Sequence, residues 1–320
     1  MAERGPVSAR AAGADHRVGG VLGSGTFSAL VFAASALLPP LAPLSFVSPL
    51  PLALQRLRGG GASAGLATVL AVALVAAAAS PQGAAYFGLA LVAPVLLLGE
   101  SLARGRGLVR GCGWAFALLV AEIALGLALA GDAMSRASVA PFDHFRSDAF
   151  LAELKQGGVP ADTAADFAAQ MGELRDVVAV VFPAMWIIGA AVLVLANAAL
   201  LRLYLLRRDP GWLEDGEFER VRFPLALVAA FVLSGAAVAV PVLRPSAYNV
   251  LLVVAFFFAL QGTAVVAFYA RRLAAPPLLR LAVLVLVLAN PWAPQILALL
   301  GLFDNWFDFR KWAEPPAPGA

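Results

Sequence analysis

Long apolar runs recur along this chain, at residues 62–79, 84–103, 108–131, 177–204, 224–242, 250–270 and 278–300. A hydrocarbon core about 30 Å thick is crossed by roughly 17 to 25 helical residues, so each run has the length of a membrane span. Inside lipid the backbone amides must be satisfied within the chain, and a helix does this locally. Composition agrees with a life in lipid: 61% of the 320 residues are hydrophobic and 13% are charged, against roughly 45–50% and about 25% in a soluble domain. The expected class is all-α, a polytopic transmembrane helical bundle whose first partner is the lipid bilayer.

Residues 24–57 are too long for one comfortable span and carry Pro39, Pro40, Pro43, Pro49 and Pro51. Proline removes a helical hydrogen bond, so a pair of short or broken helices is expected there. Basic residues test this choice. With two crossings, Arg4, Arg10, Arg17, Arg56, Arg58, Arg104, Arg106, Arg110, the loop 202–222, Arg271, Arg272 and Arg280 all fall on one side, which the positive-inside rule makes the cytoplasm. The last run is interrupted by Asn290, Pro291 and Pro294, and either crosses or dips and returns, leaving the expected count at about eight or nine spans. The amino terminus is then cytoplasmic. Residues 1–23 read as an uncleaved, disordered leader, 24–312 as one transmembrane domain, and 313–320 as a disordered tail.

Residues 132–176 are acidic, with Asp132, Asp143, Asp148, Glu153, Asp162, Asp166, Glu173 and Asp176 against Arg136, Arg146, Lys155 and Arg175. They belong on the outer face. Ser147 can cap a helix stopped by Gly157 and Gly158, and Phe167, Met171, Leu174 and Val178 recur at helical spacing. An external amphipathic lid is expected, which either gates a ligand site or bridges two helices across the headgroups.

Several chemistries are excluded by inventory. Cys112 is the lone cysteine, and the two histidines, His16 and His144, are far apart, so neither an intrachain disulfide nor a Cys/His metal site is expected. No zinc-binding His-Glu-x-x-His, phosphate-cradling loop or nucleophile elbow occurs. The chain is expected not to be an enzyme and to need no cofactor. Its net charge of +3 is spread over short clusters between spans, a topology signal that does not indicate nucleic acid.

The polar minority inside the spans is therefore informative. Glu122 lies near the centre of 108–131. An acid at mid-span costs about 2.5–3.5 kcal/mol to insert, which its apolar neighbours offset at about 0.3–0.6 kcal/mol each. Its presence fits proton relay, ligand contact or an interhelical hydrogen bond. Asn197, Gln261 and Asn290 are neutral polar groups in other spans, each either interhelical glue or a pocket contact. Glu100, near Arg104 at a span end, reads as an interfacial ion pair. The loop 209–222 alternates acids with arginines and can be a solvated hairpin or a docking segment.

Residues 301–311, Gly-Leu-Phe-Asp-Asn-Trp-Phe-Asp-Phe-Arg-Lys, are the most individual stretch. Trp306, Phe307, Phe309 and Trp312 suit a membrane-surface anchor, with Arg310 and Lys311 placed to meet phosphates. Asp304 and Asp308, four apart, would share a helix face and repel unless a cation lies between them.

This stretch resembles the signature of the YybS-like family of bacterial membrane proteins. The likeness continues in 260–265 (Leu-Gln-Gly-Thr-Ala-Val), in Phe223 and Pro224 opening a span, and in Pro183 followed by Asn197. The family's architecture is similar to the substrate-binding subunits of energy-coupling-factor transporters, which hold a small molecule in a helical bundle and meet a coupling partner through an alanine pair. The resemblance assigns that pair to Ala29 and Ala33. The leading expectation is small-solute binding related to transport, through a polar pocket of Glu122, Asn197 and Gln261. The alternative is a non-transporting scaffold or regulatory protein that recruits a membrane or cytoplasmic partner through Asp304, Asp308 and Arg310.

Overall fold

The computed structural model describes residues 14–213, 216–273, 276, 290 and 292–311, all of whose regular structure is helical. Its order is α1 (Ala14–Leu37), a 3-10 segment (Pro39–Val47), α2 (Leu50–Ala78), α3 (Pro81–Ala103), α4 (Leu108–Phe145), α5 (Asp148–Gln156), α6 (Ala161–Arg208), α7 (Leu225–Ala237), α8 (Arg244–Arg272) and α9 (Ala293–Phe307). Short 3-10 turns lie between α6 and α7. Among the described residues, six helices are long and apolar enough to cross a membrane: Val18–Leu37, Pro40–Ala78, Pro81–Ala103, Leu108–Gln156, Ala161–Arg208 and Arg244–Arg272. The expected eight or nine is a finer count than these six support. The 13 residues of α7 rise only about 20 Å, because turns begin at Val238 and Pro241 follows. The run before Asn290 and the tail 313–320 lie outside the described residues, and so does most of the leader. Helix α1 nevertheless begins at Ala14, inside the segment expected to be disordered.

Contacts divide the chain into two compact units, Met1–Leu119 with Ala191–Glu214, and Val120–Ala190 with Asp215–Ala320. In the first, the proline-rich stretch breaks where expected. Leu38 is extended (φ −120, ψ 100) ahead of Pro39 and Pro40, since a residue before proline is driven out of the helical region. The next break falls between the expected runs 24–57 and 62–79: helical geometry stops at Gly60, whose φ of 82 and ψ of 178 suit glycine alone, so α2 is two helical stretches joined across a kink. On α2, Ala64, Ala67, Ala71 and Val75 form a buried stripe, and a Cβ added to Gly25 of α1 would come within 2.7 Å of the Ala67 carbonyl oxygen. Small residues thus bring these two helices together. Ser80 caps α3 by accepting from the Gly83 amide at 3.0 Å.

In the second unit, the expected span 108–131 ends where helical geometry does, at Ala130 (φ −145, ψ 31), and a second helical stretch of α4 runs on from there to Phe145. Its distal part lies along α6: Trp186 Nε1 donates to Ser138 Oγ at 3.0 Å, and Arg175 Nε meets Asp143 Oδ1 at 2.7 Å. The expected lid helix is α5. Ser147 caps it by accepting from the Phe150 amide, and Gly158 leaves it with φ 89. Phe145, Phe150 and Phe167 cluster around it. The segment is a helical hairpin with α5 at its turn. The other part of this unit packs α7, α8 and α9 around Val228, Val254, Phe258 and Leu302.

Candidate functional site

Helices α8 and α9 cross in backbone contact. A Cβ on Gly301 would overlap the Phe258 carbonyl oxygen, and one on Gly262 would overlap that of Leu297. This approach sets the position of two polar side chains beside it. Gln261 Nε2 donates to Asp304 Oδ2 at 3.1 Å, while its Oε1 accepts from the Phe223 amide at 3.0 Å. Phe223 precedes Pro224 in a non-helical stretch, so its N–H has no helical partner and the buried amide of Gln261 supplies one.

Asp304 is also paired with Arg310, Nη2 to Oδ2 at 3.1 Å, with side-chain exposures of 0% and 7%. Arg310 reaches back because α9 ends at Asp308 in the left-handed conformation (φ 45, ψ 60), which aspartate tolerates better than most residues. The same Nη2 donates to the Val221 carbonyl at 3.0 Å. Tyr269 donates its hydroxyl to the Phe309 carbonyl oxygen at 2.5 Å. Together these bonds clasp residues 221–223 and the end of α9 onto α8. Among the described residues, Asp304 Oδ1 and Arg310 Nε are buried without a hydrogen-bond partner.

The expected repulsion between Asp304 and Asp308 does not arise. Each of the two carboxylates has its own cation. Asp304 has Arg310, whereas Asp308 pairs with Arg222 and with Lys311 Nζ at 3.0 Å. The Arg222 guanidinium holds the Asp308 carboxyl below the usual carboxylate range, against the opposing effect of burial and with help from Lys311. The expectation that Arg310 meets lipid phosphate is corrected, because its guanidinium is buried and spent on Asp304 and Val221. Lys311, 74% exposed, retains that possibility.

The other expected site residues make no hydrogen bond or ion pair to the clasp among the described residues. Asn197, fully buried in the first unit, donates from Nδ2 to the Phe46 carbonyl at 2.7 Å and the Leu193 carbonyl at 3.0 Å. It ties the proline-rich 3-10 segment to α6. Glu122 is half-exposed on α4, and no hydrogen bond or ion pair joins it to Gln261 among the described residues. Of the alanine pair, Ala29 is buried within the first unit and Ala33 half-buried.

Sequence reasoning missed Asn249. Its Oδ1 accepts from the Ala184 amide at 2.8 Å and its Nδ2 donates to the Val180 carbonyl at 2.7 Å. Those two groups bond each other in an unbroken helix, so the amide of Asn249 is inserted into the α6 ladder beside Pro183. A proline in the middle of an apolar run, with an asparagine immediately before a later one, was the available signal.

Sequence reasoning also missed a cavity in the first unit. At the turn between α3 and α4, where Gly105 and Gly107 take φ of 67 and 79, a half-open cavity of about 410 Å³ is walled by Leu97, Trp114, Ala117 and Leu118 and rimmed by Glu100, Ser101, Arg104 and Arg106. Glu100 is held between Arg56 Nε at 2.5 Å and Arg104 Nε at 2.7 Å, so the expected interfacial ion pair forms and takes in a second arginine. Ser101 Oγ donates to the Gly107 carbonyl at 2.9 Å and secures the turn.

The clasp residues Gln261, Gly262, Gly301 and Asp304 fall inside a family match that runs over residues 26–305, to the family described as "Predicted membrane protein (DUF2232)". The chain belongs to the DUF2232 family. No curated protein and no solved structure matches it. In this DUF2232 protein the cavity residues also lie within the matched region, while Asp308, Arg310 and Lys311 fall beyond it. Membership establishes a multi-pass membrane protein.

Proposed function

We propose that this DUF2232 protein binds a small solute at the membrane surface and serves, without catalysing a reaction, as a transport-related component of the bacterial inner membrane. The observation that carries the reading is the cavity at the α3–α4 turn. Its volume of about 410 Å³ is in the range of small-molecule sites, and it combines an apolar wall with a few convergent polar groups. The resemblance to YybS-like proteins and to substrate-binding subunits of energy-coupling-factor transporters points the same way. Of the pocket residues expected from sequence, Gln261 uses both ends of its amide inside the protein, and Asn197 uses its Nδ2. Glu122 keeps a half-exposed carboxyl and remains a candidate for solute or proton contact.

A second reading, a scaffold or regulatory partner, is favoured by one observation. Phe303, Trp306 and Phe307 form an exposed aromatic face on α9, with ring centroids 6.2–6.3 Å from Phe303. Asp304, Asp308 and Arg310 would then act indirectly, by holding that face in place.

Thermal unfolding of the purified protein against a panel of vitamins, nucleotides and amphiphiles separates the two. A shift that is lost in Arg104→Ala/Arg106→Ala is expected. No shift with any compound, together with crosslinking to a protein through Trp306, would overturn solute binding in favour of the scaffold.

A further inference from the structure

The chemistry of the cavity names its ligand more closely, on the reading that the cavity binds a solute at all. We infer that it takes a phosphate-bearing amphiphile, with the phosphate held by Arg104 and Arg106 and the apolar chain laid along Leu97, Trp114 and Leu118.

Charge comes first. Arg56, Arg104 and Arg106 face Glu100, so one carboxylate meets three guanidinium groups and the rim keeps an excess of positive charge. Both Glu100 oxygens are occupied, one by the Nε of each neighbouring arginine. The Arg104 bond uses Nε and leaves its Nη nitrogens for the cavity. Arg106 also lines the cavity; its backbone amide donates to the Ser101 carbonyl at 2.9 Å, and its guanidinium makes no hydrogen bond or ion pair among the described residues. Guanidinium groups presented this way match the bidentate geometry of a phosphate.

Depth comes second. The rim lies at the turn between the spans Pro81–Ala103 and Leu108–Gln156, the level at which lipid headgroups sit. Trp114, 59% exposed on the cavity wall, is the residue type enriched at that level, with an apolar ring and a polar edge. The apolar wall continues from the rim along α3 and α4, so a chain attached to the phosphate follows the spans. The half-open cavity encloses a headgroup and the start of a chain and leaves the remainder to the bilayer.

The phosphate can belong to an acidic phospholipid of the bilayer or to a separate single-chain phosphate, and the test has an arm for each. The protein is reconstituted in phosphatidylcholine nanodiscs, and thermal unfolding is followed with added dodecyl phosphate, with dodecyl alcohol, with inorganic phosphate, and with phosphatidylglycerol built into the disc. Dodecyl phosphate is expected to raise the unfolding temperature, with its apparent affinity weakened about tenfold in Arg104→Ala/Arg106→Ala. Trp114→Ala is expected to weaken it as well, whereas Arg110→Ala, which alters an exposed arginine outside the cavity, leaves it unchanged. An equal response to phosphatidylglycerol assigns the phosphate to the bilayer, and a response to dodecyl phosphate alone assigns it to a separate amphiphile. Stabilisation by dodecyl alcohol as large as that by the phosphate overturns the charge assignment and leaves solute binding standing. Stabilisation by inorganic phosphate alone overturns the role of the apolar wall. No response to any of the four overturns this inference, and solute binding falls with it only if the wider panel is also silent.

Discussion

Gly262 and Gly301 meet where α8 and α9 cross, each against backbone that leaves no room for a Cβ. The contact places Gln261 beside Asp304 one step away, so a packing device and a buried polar pair are parts of one construction. Gly301→Ala forces the helices apart and is expected to destabilise by about 1–3 kcal/mol or more. Gly189→Ala, at a position with nothing within 4 Å, is the matched control and should be neutral. Equal melting temperatures for the two variants in detergent would contradict the crossing.

The buried pair predicts a lack of additivity. Arg310→Met strands the Asp304 carboxylate and is expected to cost about 3–5 kcal/mol, whereas Asp304→Leu/Arg310→Met removes both charges and should cost less than Arg310→Met alone. Denaturant or thermal unfolding of Asp304→Leu, Arg310→Met and the double variant checks this, and additive losses would show that the two side chains do not interact.

Asn249 predicts a rescue. Asn249→Ala frees the Val180 carbonyl and the Ala184 amide in α6, at a cost of about 1–3 kcal/mol. In Pro183→Ala the α6 ladder can close by itself, so adding Pro183→Ala to Asn249→Ala is expected to recover most of the lost stability. Failure to recover would mean that Asn249 acts on something other than the interrupted helix.

Acid should loosen the end of α9. The Asp308 carboxyl is held below its usual range by Arg222, so its contribution is fully present above the ordinary aspartate range. It is lost as pH falls through the depressed value. Hydrogen exchange at residues 304–311 is expected to rise at acid pH in the wild type. In Asp308→Asn it should already be raised at neutral pH and change less with acid.

Much of this fold was legible in the sequence because it rests on local chemistry. Ser147 and Gly158 mark the ends of α5, and Pro39 and Pro40 end α1, each through its own backbone preference. The break at Gly60 between the runs 24–57 and 62–79 was legible in the same way, whereas the partners of the arginines before it were not: Arg56 bonds Glu100 and Arg58 lies 5.1 Å over the Tyr204 ring. The polar groups of the clasp were visible one by one, and their partners were not. Gln261 and Asp304 are brought together by a crossing between distant segments, and the i, i+4 reading of Asp304 and Asp308 assumed a helix that the left-handed turn at Asp308 ends. The cavity was hidden for the same reason: Glu100, Arg104, Arg106 and Trp114 converge only once the α3–α4 turn has folded.

Native mass spectrometry of the protein released from its own membrane tests the central claim most directly. Solute binding at the α3–α4 turn predicts a retained small molecule on the wild type that is absent from Arg104→Ala/Arg106→Ala and still present on Arg110→Ala. A bare protein mass in all three, or one adduct shared equally by all three, would contradict it.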